Sequence, residues 1–287
     1  MTALFVEQLT TIDFSYLCPA RGVVGETWLV DVILTGELNE EGMVFDFGHV
    51  KKEIKAMIDA HADHALLVPV KNPNITLLEL GGSRDVTLTL DQGGIIGCRA
   101  PDQAILPLQL EEITPAGVRP IIEAHVLKGL PENVTGIELH LYPQKLTGAY
   151  YHYSHGLKKH KGDCQRIAHG HRSPLSIYID NTRREDIEHD CAEQWRDIYI
   201  ASQEDLQGTT LIDECEHNVF SYQAIQGYFE LTIPASHCYV MDTDTTVELL
   251  ATHLAQKLGQ QFPCSNIKVI ANEGFRKGAI AHYFCQG

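Results

Sequence analysis

The sequence predicts an α+β protein made of two tandem domains, each an antiparallel sheet with helices on one face. Three observations carry this. The length of 287 residues fits two domains of about 140 residues. Two stretches of the chain resemble each other in pattern, at Phe14–Cys18 with Val23–Pro69 and at Tyr151–His155 with Ile167–Met241. Strand-like and helix-like periodicities alternate along both.

Trp28–Leu34 and Leu175–Ile179 alternate and are rich in β-branched residues, as half-buried strands are. Val50, Ile54, Met57, Ile58 and His61 fall at helical spacing over 48–61. Val118, Ile121, Ile122 and Val126 do the same after Pro115, and Val247, Leu250, Ala251, Leu254 and Leu258 form a third stripe. Thr245-Thr246-Val247-Glu248 has the pattern of a capping box at the start of that last helix. Each half thus reads strand–strand–helix–helix–strand–strand. Two pieces stand outside the pattern: an inserted β-hairpin or meander over 75–100 and a polar insertion over 181–212. The domains are expected at 1–147 and 148–287. Within the repeat, GETWLVDV aligns with GHRSPLSI, MVFDF with NVFSY, and ADHALLV with ASHCYVM.

Composition narrows the function. A net charge of −16 argues against nucleic-acid binding, which needs a cationic surface, and requires local positive charge for any anionic substrate. No apolar run is long enough to span a bilayer, and the N-terminus lacks the basic and apolar regions of a signal peptide. A cytoplasmic protein with no membrane partner is the expectation. The eight cysteines include no CxxC pair and read mainly as reduced thiols.

The chemistry concentrates around His169-Gly170-His171 at the start of a strand. Residues i and i+2 of a strand share a face, so both imidazoles can converge on one ion. His155 on the preceding strand could supply a third nitrogen, with His152 and His160 as rivals. Three neutral imidazoles hold Zn²⁺ and leave one position open for a substrate oxygen. The competing reading is a set of solvated or structural histidines, of which a chain with 15 has many.

These residues, Ser154-His155-Gly156-Leu157 followed by Gly162-Asp163-Cys164-Gln165-Arg166-Ile167-Ala168-His169-Gly170-His171, resemble the signature of the 6-pyruvoyl/6-carboxytetrahydropterin synthases. Gly42–Phe47, Asp63-His64 and Asn272-Glu273 extend the resemblance into both halves. It implies the tunnelling fold (T-fold) in tandem, and a lyase that converts 7,8-dihydroneopterin triphosphate to a 6-substituted tetrahydropterin with loss of triphosphate. It also implies zinc on His155, His169 and His171, Cys164 as proton-transfer group with a lowered pKa, Glu273 as the pterin anchor, and a homo-oligomer. Lys158, Lys159, Lys161 or Arg166 could meet the phosphates. The gap of four residues between Cys164 and His169 leaves the product open.

The two halves depart from the family in complementary ways. In the first, the zinc positions are Cys18, Val24 and Glu26, and the match to Glu273 is about Gln144. That half nevertheless keeps the catalytic pair Asp63-His64. In the second half the equivalent pair is Ser236-His237, without the carboxylate. The expected site is therefore composite, with zinc, Cys164 and Glu273 from the second half and Asp63-His64 from a first half. His237 acting alone is the alternative. Competing functions are another tandem T-fold enzyme, or a non-catalytic pterin- or purine-binding T-fold protein.

Overall fold

The computed structural model describes residues 2–285. It begins with a long antiparallel hairpin, β1 (Thr2–Cys18) and β2 (Gly22–Gly36). The helical run predicted over 48–61 follows as one segment, α1. It is α-helical at Phe47–His49, widens to a π turn at Val50–Ile54 and is α-helical again at Lys55–Ala62. Val50, Ile54 and Ile58 are its buried stripe. After β3 (Leu66–Pro69) come β4 (Ile75–Glu79), β5 (Ser83–Thr89), β6 (Ile95–Pro101) and β7 (Ile105–Leu108). Helix α2 (Pro115–Leu127) starts with Pro115 at its first position, and its N-cap Thr114 accepts a hydrogen bond from the Gly117 N–H. β8 (Val134–Pro143) completes a sheet in the order β7-β3-β1-β2-β8.

The second half runs through the same elements. These are β9 (Tyr150–His155), β10 (His169–Ile179), the short β11 (Thr182–Arg183), α3 (Glu185–Gln194), β12 (Ile198–Ser202), β13 (Leu206–Ile212), β14 (Cys215–Ala224), β15 (Gly227–Pro234), β16 (Cys238–Met241), α4 (Val247–Gln261), β17 (Ile267–Asn272) and β18 (Gly278–Tyr283). Its sheet has the order β16-β12-β9-β10-β17-β18, with β11 on β10. This is the tandem T-fold arrangement. Each sheet packs its apolar face against its own two helices, around Phe14, Trp28 and Ile122 in one half and Tyr151, Ile177 and Leu254 in the other.

Several expectations need correction. The sheets are mixed, since β3 and β7 in one half, and β12 and β16 in the other, join in parallel. Two strands and the insertion between them separate the helices of each half, so the order is strand–strand–helix–strand, an insertion, then strand–helix–strand. Residues 181–212 are not the insertion, because they contain α3 and β12, the counterparts of α1 and β3. The inserted pieces are β4–β6 and β13–β15, and they join as one six-stranded sheet through β6 and β15, with Leu231 opposite Cys98. The alternation over 215–241 misled the alignment because inserted strands share the period of the strands they interrupt. The capping box at α4 also fails: N-cap Thr246 makes no side-chain cap.

Strand register gives the true internal correspondence. Ser15 faces Gly25 and pairs with Leu66, whereas Ser154 faces Gly170 and pairs with Tyr199. Ser15 is thus the counterpart of Ser154, and Gly25 of Gly170. The two halves meet at these four residues. Ser15 Oγ and Ser154 Oγ share a buried hydrogen bond of 2.7 Å. A Cβ on Gly170 would lie 2.6 Å from Gly25 Cα, and one on Gly25 would lie 1.8 Å from the Tyr153 carbonyl oxygen. Only glycine lets the strands cross this closely. Like residues facing like make an isologous contact about a local two-fold axis within one chain.

Gly25→Ala should therefore disturb both halves at once. Thermal unfolding should show a loss of several degrees or an insoluble protein, against little change for Gly162→Ala, where nothing lies within 4 Å of a Cβ and the backbone φ is −93. Equal stability of Gly25→Ala and wild type would contradict the crossing.

Candidate functional site

The crossing sets β10 of the second half beside β1 of the first, and the site forms there. His155, His169 and His171 are buried, on adjacent strands with His169 opposite His155. His155 Nδ1 donates to the Thr245 carbonyl at 2.9 Å and lies 3.1 Å from its hydroxyl, so the residue expected to cap α4 holds an imidazole instead. His169 Nδ1 donates to the Arg166 carbonyl at 2.8 Å. With each Nδ1 used as a donor, each Nε2 presents a lone pair. His155 Nε2, His169 Nε2 and both nitrogens of His171 are buried without hydrogen-bond partners, and one nitrogen from each ring lies within 4.8 Å of the other two.

Buried polar atoms without partners are rare in native proteins, and three imidazole nitrogens turned toward one point fit a metal ion. Burial also holds His155 and His169 well below the usual imidazole range, in the neutral form a metal needs.

The first half supplies the rest. His64 has a left-handed backbone, with φ +56, which is strained for a residue with a side chain. It is held there by its own N–H on the Asp13 carbonyl at 2.6 Å. Asp63 Oδ1 accepts from the Asp13 N–H at 2.8 Å, and Asp63 Oδ2 lies 2.7 Å from His64 Nδ1. His64, Cys164 and His169 form a second group with ligating atoms within 4.8 Å of one another. Burial lowers the His64 pKa, but the hydrogen bonds to Asp63 and Cys164 outweigh it and push it up to about 10. Asp63-His64 and Cys164, 100 residues apart in sequence, are thus neighbours within one chain.

Glu273 sits in the turn between β17 and β18, its Oε1 3.9 Å from His171 Nε2. Two residues absent from the sequence reading join it. Asp13 Oδ1 lies 3.3 Å from His171 Nδ1, and Lys277 Nζ lies 3.1 Å from Asp13 Oδ2 and 4.0 Å from Glu273 Oε2. Burial would raise the Asp13 pKa, but His171 and Lys277 outweigh it and keep Asp13 ionised. Asp13 lies in the strand pattern of the other half, so nothing in its sequence neighbourhood linked it to an imidazole at 171.

The basic loop is largely occupied. Lys158 pairs with Asp205 at 2.6 Å, Lys159 with Asp244 at 2.9 Å, and Arg166 with Asp163 at 2.9 Å.

His237 is not with this group. Ile105 and Cys238 hold matching positions on β7 and β16, so His237 is the counterpart of Ala104 and not of His64. It lines a cavity of about 350 Å³ with Arg21, Arg196 and Asp197. The counterpart of His64 is Asp197, which shares its left-handed backbone at φ +54.

The same register corrects the first half's metal positions to Tyr16, Val24 and Glu26, because Tyr16 faces Val24 as His155 faces His169. The counterpart of Glu273 is Pro143, one residue from the expected Gln144. Here the Arg21 guanidinium donates to Tyr16 Oη at 2.8 Å and to both oxygens of Asp197 at 2.8 and 2.6 Å. Even the carboxylate–imidazole pair is reversed. Asp13 beside His171 has as its mirror His152 beside Glu26, at 3.9 Å. Burial pushes Glu26 up to about 7 and pulls His152 down to about 4.

A fixed cation thus replaces three imidazoles, and among the described residues this half has no group of three ligating side chains close enough to hold a metal. One metal ion per chain is expected, and His169→Ala or His171→Ala should remove it. Elemental analysis giving two ions per chain, or no loss in these variants, would contradict the assignment.

The family model described as 6-pyruvoyl tetrahydropterin synthase matches residues 17–79 and 147–282. Among curated proteins, the chain is similar to a "Putative 6-carboxy-5,6,7,8-tetrahydropterin synthase" of Pyrococcus horikoshii, 39% identical over 57 residues, which are 20% of this chain and 33% of that protein. A protein of the same name in Pyrococcus abyssi is 37% identical over 60 residues, 21% of this chain and 35% of its own. The chain therefore spans about a third of the length of these relatives. Among solved structures, the 6-pyruvoyltetrahydropterin synthase of Plasmodium vivax covers 50% of this chain and 91% of its own at 15% identity and TM-score 0.40. That of Plasmodium falciparum has the same coverage and TM-score at 13% identity.

Proposed function

Because the chain belongs to the 6-pyruvoyl tetrahydropterin synthase family, whose model matches more than half of it, we propose that it is a zinc-dependent lyase acting on a reduced pterin. The substrate in this reading is 7,8-dihydroneopterin triphosphate. The product is a 6-substituted tetrahydropterin, formed with loss of triphosphate. The observation that carries the reading is the set of three buried, partnerless Nε2 atoms beside a thiol and an Asp–His pair. A pterin-binding protein without turnover would have no use for the proton-transfer groups, which favours the enzyme.

His155, His169 and His171 would hold the ion, which when bound lowers the pKa of a substrate hydroxyl and polarises a neighbouring carbonyl. Glu273 would pair with the amino-pyrimidine edge of the pterin through both carboxylate oxygens and fix the ring. Cys164 Sγ would take a proton from the substrate side chain, and His64 Nε2 would receive or return one. Asp63 holds the other His64 nitrogen, so it fixes the tautomer and stabilises the cation, as a carboxylate does for any imidazole that moves protons. Homo-oligomer formation through the open sheet edges at β8 and β18 belongs to the same reading.

Incubation with 7,8-dihydroneopterin triphosphate and product analysis tests the activity, and absence of any reduced pterin product would refute it. Cys164→Ala should keep the metal and bind substrate while turnover falls by about 10²–10⁴. Glu273→Gln should chiefly weaken binding, by about 1.5–3 kcal/mol for a lost charged hydrogen bond. Full activity of Cys164→Ala would remove it from proton transfer.

A further inference from the structure

One more polar atom in the site has no partner. Tyr153 lies on β9 opposite His171 and one pleat before His155. Its ring centroid is 5.5 Å from that of His171 and 5.0 Å from that of His155. The side chain is fully buried, and its hydroxyl makes no hydrogen bond.

The opposite half shows what the position requires for packing alone. Register makes Phe14 the counterpart of Tyr153, since Phe14 faces Glu26 as Tyr153 faces His171. Phe14 is equally buried and packs edge-on against Trp28, with centroids 4.7 Å apart. A phenyl ring therefore fills this place in the half where the described residues form no metal-ligating group. The hydroxyl is present only in the half that carries the imidazoles, and burying it unpaired costs stability.

We propose that Tyr153 is a substrate-binding residue whose hydroxyl donates a hydrogen bond to an oxygen of the pterin substrate, held between the three imidazoles and Glu273. The proposal rests on the reading of the site as a pterin site. The imidazole nitrogens would be taken by the ion, and Glu273 does not bond to the hydroxyl in the free protein. A bound oxygen is then the acceptor left for it. The side chain would select among 6-substituted pterins by the oxygen it meets, because a substrate lacking that oxygen would leave the hydroxyl unpaired.

The test is a titration of the zinc-loaded protein with neopterin, followed by fluorescence quenching. Tyr153→Phe keeps the ring and removes an unpaired buried hydroxyl, so metal content should match wild type and thermal unfolding should come at or above the wild-type temperature, while the dissociation constant rises about five- to tenfold. Tyr151→Phe, which deletes another buried and unpaired hydroxyl on the same face of β9, should bind as wild type. Glu273→Gln should also weaken binding. Unchanged affinity in Tyr153→Phe beside weakened Glu273→Gln would overturn the inference and leave the pterin reading standing. Loss of zinc in Tyr153→Phe would make the hydroxyl a metal ligand and overturn it too, as would equal weakening in Tyr151→Phe. Unchanged affinity in Glu273→Gln would overturn the pterin reading and this inference with it.

Discussion

The crossing of β2 over β10, glycine against glycine with the Ser15–Ser154 hydrogen bond beside it, determines where every other functional group lies. Neither half could otherwise bring a side chain into the other's sheet. With the backbones this close, Asp13 and the Asp63-His64 corner reach the imidazoles of β10. The six-stranded sheet joined through β6 and β15 fastens the same two halves at a second place. A contact that would join two subunits in an assembly of separate domains is thereby covalently guaranteed, and its local concentration no longer depends on protomer concentration.

Having both halves in one chain removes the need for them to stay alike. In an isologous contact between identical subunits a substitution appears at both sites, so neither can specialise alone. Here the second copy of the site has changed its charge pattern throughout. Arg21 is fixed by Tyr16 and Asp197, and Glu26 with His152 reverses the order of Asp13 with His171. The reversal explains how the ruined site remains tolerable inside the protein. A buried carboxylate left without compensation would be costly, whereas Glu26, its pKa raised by burial and its Oε1 accepting from the Thr27 N–H, sits beside a His152 held by the Gly25 carbonyl, which lowers that cost. One half keeps the three buried imidazoles, and the other keeps the strained His64 corner.

What was legible in the sequence is what depends on spacing within one element. The two imidazoles of His169-Gly170-His171 follow from the period of a strand, the buried stripe of α1 from the period of a helix, and the place of α2 from the stripe after Pro115. Fold class and family were readable for that reason. What depends on contacts between elements was hidden. Asp13 and Lys277 carry no local signal, and Tyr153 looks like any strand aromatic until its hydroxyl is seen to lack a partner. The error over His237 came from sliding the repeat past an insertion whose β-period matched its surroundings. Only ladder register, with Tyr199 in the place of Leu66, identified Asp197 as the true counterpart of His64.

The central claim is that one chain completes its own site from both halves. Subunit mixing tests it most directly. Inactive Asp63→Ala chains and inactive Cys164→Ala chains, each retaining its metal, are unfolded together, refolded together and assayed. Since both groups must come from one chain, the mixture should remain as inactive as its components. Recovery of a substantial fraction of wild-type turnover would show that the Asp–His pair and the thiol meet across chains, and would contradict the account.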